Sequence, residues 1–106
     1  MKTLTELLKK LNELNQQKEQ LKLWLVQKEV VEYYNWKAQN EKDRTAMDKV
    51  VAQLKLDDET WLEKEDEYSK IKVEYENLKR VYDIVQNLIS REYTIEIIEE
   101  FINEFI

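Results

Sequence analysis

The chain contains neither glycine nor proline in 106 residues. Glycine permits the left-handed backbone of tight turns, and proline stops helices and shapes loops. At average usage a chain of this length would carry about seven glycines and about five prolines. Because both are missing, the chain has few ways to build β-hairpins or structured loops. Long, uninterrupted helices are therefore favoured.

The balance of apolar and charged residues predicts a thin core. Apolar residues make up 42% of the chain and charged residues 38%, and the mean hydropathy is −0.75. A narrow seam between paired helices suits this balance better than a globular interior. We therefore predict an all-α fold, a long antiparallel helical hairpin of coiled-coil type with a short C-terminal amphipathic helix, in a single domain over residues 1–106.

The helix boundaries follow from caps and from a seven-residue repeat. Thr3, Asp57 or Asp58, and Thr94 are candidate N-caps. We expect helices over about 3–55, with a break near 38–45 left open, over 58–91 and over 94–106. The second of these carries two apolar rows at heptad spacing: Trp61, Tyr68, Tyr75, Tyr82 and Ile89, then Ile71, Leu78 and Val85.

A turn near residue 57 predicts which residues face each other in the hairpin. Tyr82 would meet Val31, and Ile89 would meet Leu25. The leucines at the start of the chain would then overhang and need another partner, either the C-terminal helix or a second copy. The candidate residues of such an oligomer seam are Leu4, Leu7, Leu11, Leu14, Leu21, Ile98, Phe101, Ile102 and Phe105.

Most catalytic chemistry is disfavoured by the composition. The chain has no histidine and no cysteine, which removes the commonest general base, the usual zinc ligands and the best nucleophile. Without glycine it cannot form a phosphate-binding loop or a calcium loop of the EF-hand type. Paired carboxylates such as Glu63 and Glu67 are more often a solvated helix face. We predict no enzyme, no cofactor and no metal site.

Charge points to a protein partner rather than to direct nucleic-acid binding. The net charge is −6, and the acids concentrate after residue 56, whereas phosphate binding needs clustered lysine and arginine. Exposed aromatic residues often mark interaction surfaces, and three in a short segment cannot all face one seam. The candidate partner-binding residues are Asp57, Asp58, Glu59, Glu63, Asp66, Glu67, Tyr33, Tyr34 and Trp36.

No segment approaches the roughly 20 apolar residues that span a bilayer. Residues 1–14 also lack the apolar core and cleavage site of a signal peptide. We therefore expect a cytoplasmic protein with no membrane contact.

The amino-acid composition resembles that of a known class of small proteins. Lysine strongly outnumbers arginine, asparagine and isoleucine are frequent, and segments such as Glu74–Lys79 combine these features. In this the chain resembles small acidic coiled-coil accessory proteins of phages and mobile elements of low-GC Gram-positive bacteria. Some of those, anti-CRISPR proteins among them, inhibit host nucleases.

Three functional hypotheses follow. The leading one is a non-enzymatic helical module that covers a partner protein's surface. The second, implied by the resemblance, is a phage-encoded acidic inhibitor of a host nucleic-acid-binding enzyme, of the anti-CRISPR or anti-restriction type, whose carboxylates replace phosphates. The third is a structural coiled-coil oligomer, expected to be a homodimer.

Overall fold

A computed structural model describes residues 3–105, and this part of the chain folds into four α-helices with no strand. They are α1 (Leu4–Gln39), α2 (Met47–Leu56), α3 (Glu59–Ser90) and α4 (Ile95–Phe105). The predicted all-α class, with a long hairpin and a short C-terminal helix, is confirmed. The final residue of the predicted last helix, Ile106, lies outside the described residues.

Side chains cap three of the helices at the predicted positions. The Glu6 backbone N–H donates to Thr3 Oγ1 at 3.2 Å, and the Trp61 N–H donates to Asp58 Oδ1 at 3.0 Å. The Ile97 N–H donates to Thr94 Oγ1 at 3.4 Å. Each bond satisfies a donor that the first turn of a helix leaves unpaired.

Asparagine and aspartate build the connection between α1 and α2. The Asn40 side-chain amide donates to the Trp36 carbonyl at 2.8 Å, at the end of α1. Asp43 Oδ1 then accepts from the Thr45 backbone N–H at 2.8 Å and from its hydroxyl at 2.6 Å. These local bonds offer the backbone an alternative to the helix. One predicted helix over 3–55 is thus replaced by two, separated within the segment where the sequence left a break open.

The turn between α3 and α4 is closed by a Schellman motif without glycine. The Tyr93 N–H donates to the Leu88 carbonyl at 3.2 Å, and the Glu92 N–H donates to the Ile89 carbonyl at 3.0 Å. Glu92 occupies the left-handed region with φ of 63°. That position normally holds glycine, because a Cβ atom is strained there.

The chain divides into two compact units. The first, within the described residues, contains 3–18 and 70–105, so it combines the start of α1, the later part of α3 and all of α4. All three helices contribute to one buried cluster: Leu7, Leu11, Leu14, Leu78, Val81, Val85, Ile98 and Ile102. Leu78 and Val85 thereby take the buried positions that the heptad spacing predicts.

In the first unit α1 and α3 run antiparallel, with a register that differs from the prediction. The Lys18 ammonium lies 4.2 Å from the centre of the Tyr75 ring, whereas Leu4 lines a groove with Ile89. Tyr82 packs against the first unit's cluster. The predicted pairings of Tyr82 with Val31 and of Ile89 with Leu25 are wrong. The cause is the break after Gln39, which makes α2 a separate helix.

The second unit, residues 19–69, combines the later part of α1, all of α2 and the start of α3. Trp61 is almost fully buried, and the Lys28 and Lys55 ammonium groups lie 5.8 and 5.4 Å from its ring centre. Both distances fall within the range of cation–π attraction. Val50 and Val51 of α2 are also buried, which places α2 in this unit's core.

Candidate interaction surfaces

One face of α1 in the second unit is apolar and exposed. Its members are Leu23, Val26, Val30 and Tyr34, which we call the α1 outer face. Their exposed fractions lie between 41% and 65%. The spacing of three, four and four residues places the four side chains along one side of the helix. About three turns of apolar surface are therefore left uncovered within the second unit.

The opposite side of the same helix segment is apolar as well. Leu21 is buried, and Trp24, Leu25 and Trp36 are half-buried. A surface helix of a globular protein normally has one apolar stripe, and a helix that is apolar on opposite sides is normally covered on both. Residues 21–36 therefore have the composition of a helix with a second contact. Leu23 and Val30, seven residues apart, are the sequence signal for the outer side.

An aromatic cluster lies at the end of this surface. The Tyr33 ring centre is 5.6 Å from that of Tyr34, edge to face, and 6.1 Å from that of Trp36, stacked. Tyr34 is exposed, whereas Tyr33 and Trp36 are half-buried. The prediction that at least one of the three is exposed is confirmed. Tyr34 is thus the most exposed aromatic side chain of the three, and its ring packs against that of Tyr33.

The acidic residues predicted to bind a partner have different environments. Asp58 caps α3, and its Oδ2 atom lies 3.0 Å from Lys28 Nζ. The pKa of the Asp58 carboxyl is held below its usual value, mainly by the hydrogen bond from the Trp61 N–H and next by the one from Lys28. Lys28 Nζ also lies 3.0 Å from Glu32 Oε1. The hydrogen bond to Glu32 is the larger cause, and the one to Asp58 the next, of a raised pKa for Lys28. The Asp58 carboxylate therefore has a structural role, and its hydrogen bonds are made within the chain.

The other predicted acids lie at the surface: Asp57, Glu59, Glu63, Asp66 and Glu67 are all exposed. Glu67 Oε2 lies 3.8 Å from Lys64 Nζ, an exposed pair of the kind that contributes little to stability. Glu59, Glu63 and Asp66 follow one another by four and three residues along α3, and hence share one side of it. Trp61 lies on the buried side. This arrangement presents negative charge to solvent.

The predicted oligomer seam is largely occupied within one chain. Leu7, Leu11, Leu14, Ile98 and Ile102 are buried in the first unit's cluster, with Leu4 and Phe101 packed against it. Leu21 is buried and belongs to the second unit, and Phe105 is exposed. The C-terminal helix and α3 cover the first leucines. Of the two partners that the sequence left open for these leucines, the C-terminal helix or a second copy, the C-terminal helix packs against them here.

The described residues contain no group of three or more acidic side chains placed to hold a metal ion. No helix among residues 3–105 combines the length and the apolar character that crossing a membrane requires. Comparison of the chain with protein families, with curated proteins and with solved structures finds no significant match.

Proposed function

We propose that the protein is a non-enzymatic interaction module that works by covering the surface of a partner protein, in the cytoplasm of a bacterial host. The observation that carries the proposal is the α1 outer face, an exposed apolar stripe on a helix whose other side is already packed. Contiguous exposed apolar surface in a soluble protein marks a contact site.

The energetics suit a specific contact. Fully burying a valine or leucine side chain contributes about 1.5–3 kcal/mol, so covering side chains that are about half exposed contributes about 1 kcal/mol each. Tyr34 adds a tyrosine, one of the residue types that dominate binding energy at interfaces. Tyr34 packs edge to face against Tyr33, which itself stacks on Trp36, and such packing reduces the side-chain entropy lost on binding.

The test compares two double variants with the wild-type protein as baits. Val26→Glu with Val30→Glu places charge on the α1 outer face. Val73→Glu with Ile84→Glu makes the same change at two exposed apolar positions of α3 and serves as the matched control. Glutamate is a good helix former, so both variants should keep the helix content. Each bait is incubated with a nuclease-treated lysate of a low-GC Gram-positive bacterium, and the retained proteins are quantified by mass spectrometry.

We expect at least one protein that binds the wild type and the α3 control but is lost from the α1 variant. A photo-crosslinking residue at Val26 should then form a covalent adduct with that protein. Equal recovery on all three baits would show that the α1 outer face is not the contact. Recovery of the chain alone, with the wild type dimeric by light scattering, would favour a structural oligomer instead.

A second candidate is the phage-encoded inhibitor of a nucleic-acid-binding enzyme, of the anti-CRISPR or anti-restriction type. Glu59, Glu63 and Asp66 favour it, because they are exposed on one side of α3. At 1.5 Å per residue they follow one another at about 6 Å and about 4.5 Å along the axis. A row of exposed carboxylates can occupy a groove lined by lysine and arginine that otherwise binds phosphates.

The inhibitor hypothesis makes a separate prediction. Reversing Glu63, Asp66 and Glu67 to lysine should abolish inhibition of a captured enzyme and its competition with DNA. Reversing Glu6, Glu13 and Glu74, acids of the first unit, provides a control with the same change in net charge. Undiminished inhibition by the first triple variant would rule out phosphate mimicry by this face and would leave the α1 outer face untouched as a hypothesis.

A further inference from the structure

The first unit contains an open groove of 580 Å³ between the start of α1 and the turn that joins α3 to α4. We call it the α4 groove, and its main lining residues are Leu4, Ile89, Tyr93, Ile95, Ile98 and Glu99. Its volume falls within the range of ligand-binding pockets. All of these residues belong to the first unit, in a different part of the chain from the α1 outer face.

The apolar lining is incompletely covered by the chain itself. Ile98 is buried and forms part of the core, whereas Ile89, Tyr93 and Ile95 are exposed, with Ile95 at 67%. Exposed isoleucines beside a buried one leave a continuous apolar path from the core to solvent. An occupant that covered them would remove apolar surface from water.

Hydrogen bonds define the backbone at one end of the groove. The Schellman motif at Glu92 fixes Tyr93 through the bond to the Leu88 carbonyl, and the Thr94 cap fixes the start of α4 immediately before Ile95. Glu92 accepts a left-handed backbone to make this turn. A site whose walls are set before binding loses less entropy when it is filled.

Negative charge is concentrated on helix α4, which forms one wall of the groove. Helix α4 carries four glutamates, at 96, 99, 100 and 104, and no base. Glu99 lines the groove and is half-buried. Its neighbours there are partly apolar, and the attraction between opposite charges is stronger in such surroundings than in water. Arg91 lines a neighbouring hollow, which shares Tyr93 with the groove. A partner of positive charge is therefore favoured.

We propose that the α4 groove binds a basic amphipathic segment of a partner protein, with leucine, isoleucine or phenylalanine side chains against Ile89 and Ile95 and with lysine or arginine against Glu99. A second copy of this chain is a poorer occupant. In a twofold contact the same patch meets itself, so the α4 glutamates would face one another. The proposal is independent of the α1 outer face.

The test selects peptides on the full chain. A display library of random 16-residue peptides is panned against the immobilised protein, and the enriched peptides are synthesised with a fluorescent label. Binding is measured by fluorescence anisotropy at two salt concentrations. We expect the enriched sequences to interleave apolar residues with lysine or arginine and to bind more weakly at higher salt.

Three variants locate the site. Ile95→Asp should weaken binding at least tenfold. The fold tolerates it because Ile95 is exposed and aspartate is favourable in the first turn of a helix. Glu99→Lys should also weaken binding at least tenfold and reduce its salt dependence. Val73→Asp, which makes the same kind of change at an exposed position of α3 outside the groove, should bind like the wild type.

Each other outcome overturns the proposal: no enriched peptide, enriched peptides without basic residues, or Ile95→Asp and Glu99→Lys binding with unchanged affinity. The double variant of the α1 outer face should bind these peptides normally. Loss of peptide binding by Ile95→Asp alone, with lysate partners retained, would therefore separate this groove from the function proposed for α1.

Discussion

The ammonium group of Lys28 in α1 lies 3.0 Å from the Asp58 carboxylate, whose other oxygen caps α3. One carboxylate thereby fixes the start of a helix and joins it to a second helix of the same unit. Because both bonds favour the charged form of Asp58, they make the stability of this unit depend on pH.

Stability should fall in acid partly through Asp58. Its pKa is lower in the folded state than the usual 3.8. The stabilisation is therefore fully present above that usual value and is lost as the pH falls through the lower, folded-state pKa. Asp58→Asn keeps an N-cap acceptor but loses the charge.

We expect the urea midpoint of Asp58→Asn to lie below that of the wild type at pH 7 and to converge with it in acid. Asp57→Asn, at the exposed neighbouring carboxylate, should follow the wild type throughout, and a constant gap for Asp58→Asn at all pH values would contradict the assignment.

Replacing Glu92 with glycine should stabilise the protein. A non-glycine residue in the left-handed region costs about 1–2 kcal/mol, and the extra freedom of glycine in the unfolded chain cancels about half of that gain. We expect the free energy of unfolding to rise by about 0.5–1 kcal/mol, measured by urea denaturation. Arg91→Gly, one residue earlier in the same turn, lacks the positive φ and should destabilise. Equal effects of the two glycines would argue against strain at Glu92.

Two adjacent leucines should respond very differently to truncation. Leu7 is 0% exposed and belongs to the first unit's cluster, whereas Leu8 is 38% exposed. Leu7→Ala should lower the free energy of unfolding by about 2–5 kcal/mol, because it removes buried surface and leaves a cavity. Leu8→Ala should cost less than about 1 kcal/mol. Thermal and urea unfolding of the pair measure this, and similar costs would mean that α1 packs with another face.

Charge at the first leucines should unfold the first unit rather than separate two copies. Leu11 and Leu14 contact α3 and α4 residues of the same chain. An aspartate at either site would be buried without a partner, which is strongly unfavourable. We expect Leu11→Asp with Leu14→Asp to lose helical circular dichroism. A well-folded double variant whose mass by light scattering is half that of the wild type would instead restore the zipper hypothesis.

The sequence predicted well whatever depends on local spacing and on single polar side chains. Thr3, Asp58 and Thr94 cap helices because each precedes an apolar periodic segment, a signal that needs no tertiary information. The heptad of α3 likewise identified Trp61, Leu78 and Val85 as buried, since period alone defines the inner side of a helix.

The register and most of the α1 outer face did not follow from spacing. The pairing of α1 with α3 depends on where the chain turns, and the sequence leaves open whether α1 breaks near 38–45, where Asn40 and Asp43 make their local hydrogen bonds. Tyr34 is a predicted partner-binding residue, whereas Leu23 and Val26 are not, because one apolar stripe already satisfies the expectation of a paired helix. Which stripe faces the chain's own core is decided by packing, and spacing does not determine it.

The composition of the first unit's core has a consequence for synthesis on the ribosome. Leu7 and Leu11 are synthesised well before Ile98 and Ile102, two residues of the same buried cluster that follow about 90 positions later. The second unit is the continuous segment 19–69, so all of its residues are synthesised before the later residues of the first unit, 70–105. Contacts between residues far apart in sequence form later than local ones. During that interval Leu7 and Leu11 lack part of their cover, and uncovered apolar side chains of a nascent chain are open to chaperones and to aggregation.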